Sequence, residues 1–140
     1  MKIIIKVSFT GLLLGFYLAG AFGQNQSEFD SLYGASGKSN IEIAEDLVWK
    51  LPTGENFLYL SIVYYNEGRY ENCIEACEKA LELQPDYAAA YNNICAAYNE
   101  LEEWDKAFQA CNLALTIDPE FQLAENNRQR SLLYIDAHKQ

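Results

Sequence analysis

The stretch GENFLYLSIVYYNEGRYENCIEACEKALELQPDY at 54–87 is followed directly by AAAYNNICAAYNELEEWDKAFQACNLALTIDPEF at 88–121. Set one above the other, these 34-residue segments align without a gap. Tyr64 falls on Tyr98, Ala76 on Ala110, Cys77 on Cys111, Ala80 on Ala114, Leu81 on Leu115 and Pro85 on Pro119. Similar residues fill other places: Phe57 with Tyr91, Leu60 with Ile94, Tyr70 with Trp104. A period of this length marks a stacked repeat, in which each unit buries its apolar face only against its neighbours.

Each copy reads as two helices. The spacing predicts helices over 56–66 and 70–83 in the first copy, with Gly68 as the break, and over 88–101 and 104–117 in the second. Pro85 and Pro119 end the second helix of each pair, because Pro disfavours helical geometry in the residue before it. Small residues mark the places of close approach: Ser61 against Cys73, then Cys95 against Ala107. Ala80 and Ala114 leave room for the helix that follows. Upstream, Ile41, Ala44, Leu47, Val48 and Leu51 give one apolar face; Pro52 stops that helix and Thr53 is placed to cap the next. Downstream, Glu125, Arg128 and Gln129 stand where a third copy needs an aromatic, Leu and a small residue. Leu123, Leu132, Leu133 and Ile135 still make an apolar face, so 122–138 is expected to form a capping helix sealed by these side chains.

These residues resemble the tetratricopeptide repeat family, whose pattern is an aromatic, Leu-Gly, Tyr, Ala, an aromatic, Ala and Pro at fixed spacing. The first copy supplies Phe57, Leu60, Ser61, Tyr64, Cys73, Cys77, Ala80 and Pro85; the second supplies Tyr91, Ile94, Cys95, Tyr98, Ala107, Cys111, Ala114 and Pro119. It departs from the pattern with Ser61 and Cys95 for Gly, Cys73 for Ala, and Cys77 and Cys111 for the aromatic, each keeping a small or apolar residue in place. The resemblance implies an all-α fold: a right-handed helical-hairpin solenoid of two repeats, 54–87 and 88–121, with a flanking helix at each end, in a domain over 40–140. It implies a protein-interaction module that binds a partner protein or an extended peptide on a concave face lined by the first helices. By resemblance that face holds Tyr59, Ile62 and Asn66, then Asn92, Asn93, Ala96 and Asn99, continued by Asn126, Asn127 and Arg130 on the cap. The family's clamp for C-terminal carboxylates uses Lys and Asn in the first repeat; Leu58 and Ile62 stand there instead, against that mode. The alternative is a structural accessory subunit that assembles or anchors an envelope complex.

Asparagine is costly in a helix, about 0.5–0.7 kcal/mol against Ala at an exposed interior site, so three in one helix cost on the order of 2 kcal/mol. Ligand binding accounts for Asn92, Asn93 and Asn99, since an amide both donates to and accepts from a peptide backbone. Drift on a solvated face accounts for them equally well.

Chemistry points away from catalysis. Lys and Arg total 10 against 20 Asp and Glu, for a net charge of −10 with no clustered basic patch, which disfavours nucleic acid. His138 is the only histidine and is the third residue from the end, without an orienting partner in reach of the pattern. The acids, such as Glu75, Glu78 and Glu82, read as a solvated helix face. Gly34 to Ser39 imitates a phosphate-binding loop, but Leu32 stands where its first Gly belongs and no strand precedes it. No enzyme, cofactor, metal site or small-molecule substrate is expected. Cys73, Cys77, Cys95 and Cys111 are expected to act as small core residues, with Cys77–Cys95 the first bridge to test.

The N-terminus reads as an export signal over 1–23: Lys2 and Lys6, an apolar run from Leu12 to Phe22, then Ala21 and Gly23 before Gln24. An uncleaved membrane anchor is the alternative. Polar residues over 24–39 form a flexible linker, and the folded part is expected to be periplasmic or secreted. Cleavage between Gly23 and Gln24 predicts that N-terminal sequencing of the exported protein begins at Gln24; an intact Met1 favours the anchor.

Overall fold

The computed structural model describes residues 39–137; the export signal expected at 1–23, the linker expected over 24–39 except Ser39, and His138 lie outside the described residues. Six helices follow one another: α1 Asn40–Lys50, α2 Gly54–Asn66, α3 Tyr70–Leu83, α4 Ala88–Glu100, α5 Trp104–Ile117 and α6 Gln122–Ala137. No strand occurs among the described residues. α2 with α3 and α4 with α5 form hairpins, α1 lies against α2, α3 against α4, and α6 against both α5 and α4. The all-α arrangement is therefore two helical hairpins in a row, with one helix flanking each end.

The hairpins close over small side chains. Ser61, Cys73, Cys77 and Ala80 in the first, and Cys95, Ala107, Cys111 and Ala114 in the second, are all 0% exposed. Helix axes come as near as 8–10 Å only where side chains at the crossing are short, and these eight supply that clearance. At the entry to α2, Thr53 acts as read: its Oγ1 accepts from the Asn56 N–H at 3.2 Å. The Asn56 side chain donates back to the Leu51 carbonyl at 2.7 Å, fixing the turn at Pro52.

The cysteines correct the sequence expectation. Cys95 and Cys111 are joined, S–S 2.09 Å and Cα–Cα 5.3 Å, tying α4 to α5, while Cys73 and Cys77 remain buried thiols. The partner of Cys95 is thus in its own hairpin, because the two positions that face each other there are the small site of the first helix and the site 16 residues later on the second. In the first hairpin the same two positions hold Ser61 and Cys77. Burial, followed by the neighbouring Cys73, pushes the Cys77 thiol well up, partly opposed by Ser61. Cys77 therefore stays protonated and unreactive. A bridge closing a loop this short contributes about 3 kcal/mol in the chain-entropy account.

The ends of α2 and α4 share one cap. Arg69 N–H donates to the Tyr64 carbonyl and Gly68 N–H to that of Tyr65; Glu103 and Glu102 repeat this on Tyr98 and Asn99. This pairing needs a left-handed residue. Gly68 meets the need at φ 73°, but the second repeat places Glu102 there at φ 60°.

The cap helix is seated differently from the reading of its leucines. Ala124 and Ser131 are the buried residues of α6, whereas Leu133 is 70% and Leu132 37% exposed. Two small residues seven apart let α6 approach closely, and the Tyr134 ring stacks on Trp104 with centroids 4.2 Å apart. That geometry turns Leu133 outward.

Replacing Glu102 by Gly should raise stability by about 1 kcal/mol, the order of the left-handed penalty for a side chain. Gly68→Ala should lose a similar amount from backbone strain alone, since an added Cβ meets nothing within 4 Å. Urea unfolding of the two variants measures both.

Candidate functional site

The first helices α2, α4 and α6 lie side by side, α2 on α4 and α4 on α6, and they are stitched together by side-chain amides and hydroxyls. Between α2 and α4, Asn93 Nδ2 donates to Ser61 Oγ at 3.1 Å, and Ser61 donates to the Leu58 carbonyl at 2.7 Å. Between α4 and α6 the network is larger. Asn127 Nδ2 donates to Asn92 Oδ1 at 3.0 Å, Asn99 Nδ2 to the Asn127 carbonyl at 3.0 Å, and Ser131 Oγ to Asn99 Oδ1 at 2.8 Å. Asn99 is 0% exposed and both its amide atoms are satisfied.

This network reassigns part of the expected groove. Asn92 and Asn99 are buried and Asn127 is half-buried, and their amides hold α6 on α4. Both alternatives raised by the sequence, ligand contact and drift, give way here to a third. The helix-propensity cost of Asn is offset by interhelical hydrogen bonds worth about 1 kcal/mol each. Tyr59 is likewise buried, its hydroxyl pushed up by desolvation, so its ring is not presented to a ligand. Ile62, Asn93 and Ala96 are half-buried, and Asn66 and Asn126 are exposed. Asn126 accepts from Gln122 on its own helix at 3.1 Å.

Arg130 is exposed but not free. Its Nη1 lies 2.6 Å from Glu100 Oε1, and Tyr65 donates to the same oxygen at 3.3 Å. Burial and the Glu100 charge push the Tyr65 hydroxyl up to about 12, so it donates throughout the physiological range. Tyr65, Glu100 and Arg130 therefore run in a line across α2, α4 and α6. Neither Tyr65 nor Glu100 stands out in the sequence, because the Glu100–Arg130 pair joins residues 30 apart on different helices. Among the described residues no group of His, Cys, Asp and Glu gathers to hold a metal, and no helix is long and apolar enough to cross a membrane.

The tetratricopeptide repeat family profile matches residues 62–87 and 88–121. These hairpins are tetratricopeptide repeats. A stretch of 53 residues, 38% of this chain, is 36% identical to a probable UDP-N-acetylglucosamine–peptide N-acetylglucosaminyltransferase from Arabidopsis thaliana. The match spans only 5% of that protein's length. Among solved structures, the crystal structure of MamA superposes with a TM-score of 0.58 at 18% identity, covering 96% of this chain and 99% of that one. At that identity the likeness is one of fold. Tetratricopeptide repeats are in general protein-interaction modules, and the first helices of these two, α2 and α4, adjoin each other and the cap helix α6.

Asn99→Ala should lower stability by about 2 kcal/mol, because it removes two buried hydrogen bonds, to the Asn127 carbonyl and from Ser131, whose hydroxyl keeps only the Asn127 carbonyl. Asn66→Ala, on an exposed helix end, should change it by no more than about 0.5 kcal/mol. Denaturant unfolding distinguishes a structural amide from a surface one.

Proposed function

We propose that this tetratricopeptide-repeat domain is a non-catalytic binding module that takes a partner protein or extended peptide across its first helices, outside the cytoplasm. The observation that carries the reading is the side-by-side array of α2, α4 and α6, with Ile62, Asn93 and Ala96 half-open at its centre and Asn66, Asn126 and Arg130 exposed around them. Ile62 and Ala96 give apolar contact, and Asn93 retains its carbonyl oxygen for a ligand backbone after donating to Ser61. The export signal read at 1–23 supports a location beyond the cytoplasm, as does the Cys95–Cys111 bridge, since disulfides persist in oxidising compartments.

Arg130 changes role in this reading. With Glu100 at 2.6 Å its charge is already compensated, so an acidic or C-terminal group has to displace Glu100 before it can dock. A second reading, an accessory subunit of an envelope complex, is favoured by the exposed leucines Leu123 and Leu133 on α6.

Once affinity capture of the tagged protein has supplied a partner, calorimetric titration tests the face. Asn93→Ala should weaken binding by about 0.5–1.5 kcal/mol, the worth of one uncharged hydrogen bond. Glu100→Gln should tighten the binding of an acidic ligand, and salt should reverse the gain. If both bind as wild type while changes on α3 or α5 abolish binding, the face is misassigned and the accessory-subunit reading gains.

A further inference from the structure

In the 34-residue frame, Asn126 and Leu133 of α6 occupy the places of Leu58 and Tyr65 in α2 and of Asn92 and Asn99 in α4. In the earlier helices these places are covered or committed. Leu58, Asn92 and Asn99 are buried, Tyr65 reaches Glu100 of α4, and Asn92 and Asn99 are bonded to α6. On α6 the same places stand open: Leu133 is 70% exposed and Asn126 is exposed. With Leu123, 60% exposed, and Arg130, they form one stripe at i, i+3, i+7 and i+10. The edge that takes a neighbouring first helix twice within the chain is thus left unpaired on α6 among the described residues.

The chemistry of the stripe suits one occupant. Its single charge, on Arg130, is compensated by Glu100, and the acids of the same helix, Glu125 and Asp136, lie roughly a quarter turn away around its axis. In a chain of net charge −10, a like-charged molecule approaches here with little local repulsion. The stripe is also self-complementary. A two-fold axis at the height of residue 128, on the stripe's side of the helix, sets α6 antiparallel to α6 of a second copy, Leu123 opposite Leu133 and Asn126 opposite Arg130. Each pair then occurs twice, apolar on apolar and amide carbonyl against guanidinium, as an isologous contact requires.

We infer that this edge of α6 is a homodimer surface, occupied by α6 of a second copy of the chain. One helix from each side gives an interface at the low end of the specific range, under about 1,200 Å², so the dimer forms reversibly with concentration. The stripe shares Asn126 and Arg130 with the proposed ligand face, but its test reads self-association of the chain alone, so the two readings can fail separately.

Sedimentation equilibrium of the purified protein over a concentration series tests it. The mass should rise from one chain to two. Leu133→Glu should remain a monomer throughout with unchanged thermal unfolding, since the side chain is already exposed. Leu113→Glu, at a 50% exposed site on α5, should dimerise as wild type. Orientation is read by oxidative cross-linking: Leu123→Cys mixed with Leu133→Cys should give a linked dimer, and neither variant alone should. A wild-type chain that stays monomeric, with or without a foreign helix bound to the stripe, overturns the inference. So does a dimer that survives Leu133→Glu.

Discussion

The close approach of helices over eight fully buried small residues is the constraint on which the rest of the domain depends. Where Ser61, Cys73, Cys77 and Ala80, and then Cys95, Ala107, Cys111 and Ala114, meet inside the hairpins, a larger side chain has no room. Overpacking of this kind typically costs about 1–3 kcal/mol and shifts backbone. Because the same four places recur after 34 residues, the second hairpin repeats the first, and the first helices come to lie in one row. The Cys95–Cys111 bridge grows out of this geometry, since it joins the two small positions that already face each other. The first hairpin keeps the geometry with Ser61 and Cys77 and goes without the bond.

The second level of organisation is polar. Between α4 and α6 the domain relies on Asn92, Asn99, Asn127 and Ser131 where a more usual repeat interface relies on apolar packing. A satisfied buried network of this kind specifies one seating, because any slip of α6 leaves amides unpaired in a low-dielectric interior. It also accounts for the polar character of α6. Arg128 stands where Leu60 and Ile94 stand in the earlier copies, and turns to Glu125 and Asn112, at 2.7 and 3.4 Å. The cap is held by hydrogen bonds, two small residues and one stacked aromatic pair, leaving its leucines on the surface.

Function follows from what these two levels leave uncommitted. The network takes Asn92, Asn99 and Asn127, burial takes Tyr59, and Glu100 occupies Arg130. The remaining open positions are fewer, less charged and more apolar than composition suggests for so acidic a chain. In the proposed reading, a near-neutral row of helices, flanked by α3 with its exposed Glu71, Glu75, Glu78 and Glu82, suits association through shape and backbone hydrogen bonds over charge.

The sequence by itself determined the periodic properties. Helix positions, the breaks at Gly68 and Pro85, the Thr53 cap and the hairpin pairing all arise from local preference and a repeated pattern, which the residues carry in order. It also carried the left-handed site at Glu102, legible once Gly68 is aligned with it. Tertiary structure decided whatever depends on residues distant in the chain meeting at one point. The partner of Cys95, the use of Asn99, the compensation of Arg130 and the outward turn of Leu133 are such cases. An Asn on a helix reads the same whether it faces water, a ligand or a neighbouring helix, because propensity senses only the local backbone. Which of these it faces is fixed by how closely α6 docks on α4, a distance set by Ala124, Ser131 and the helices beneath them together.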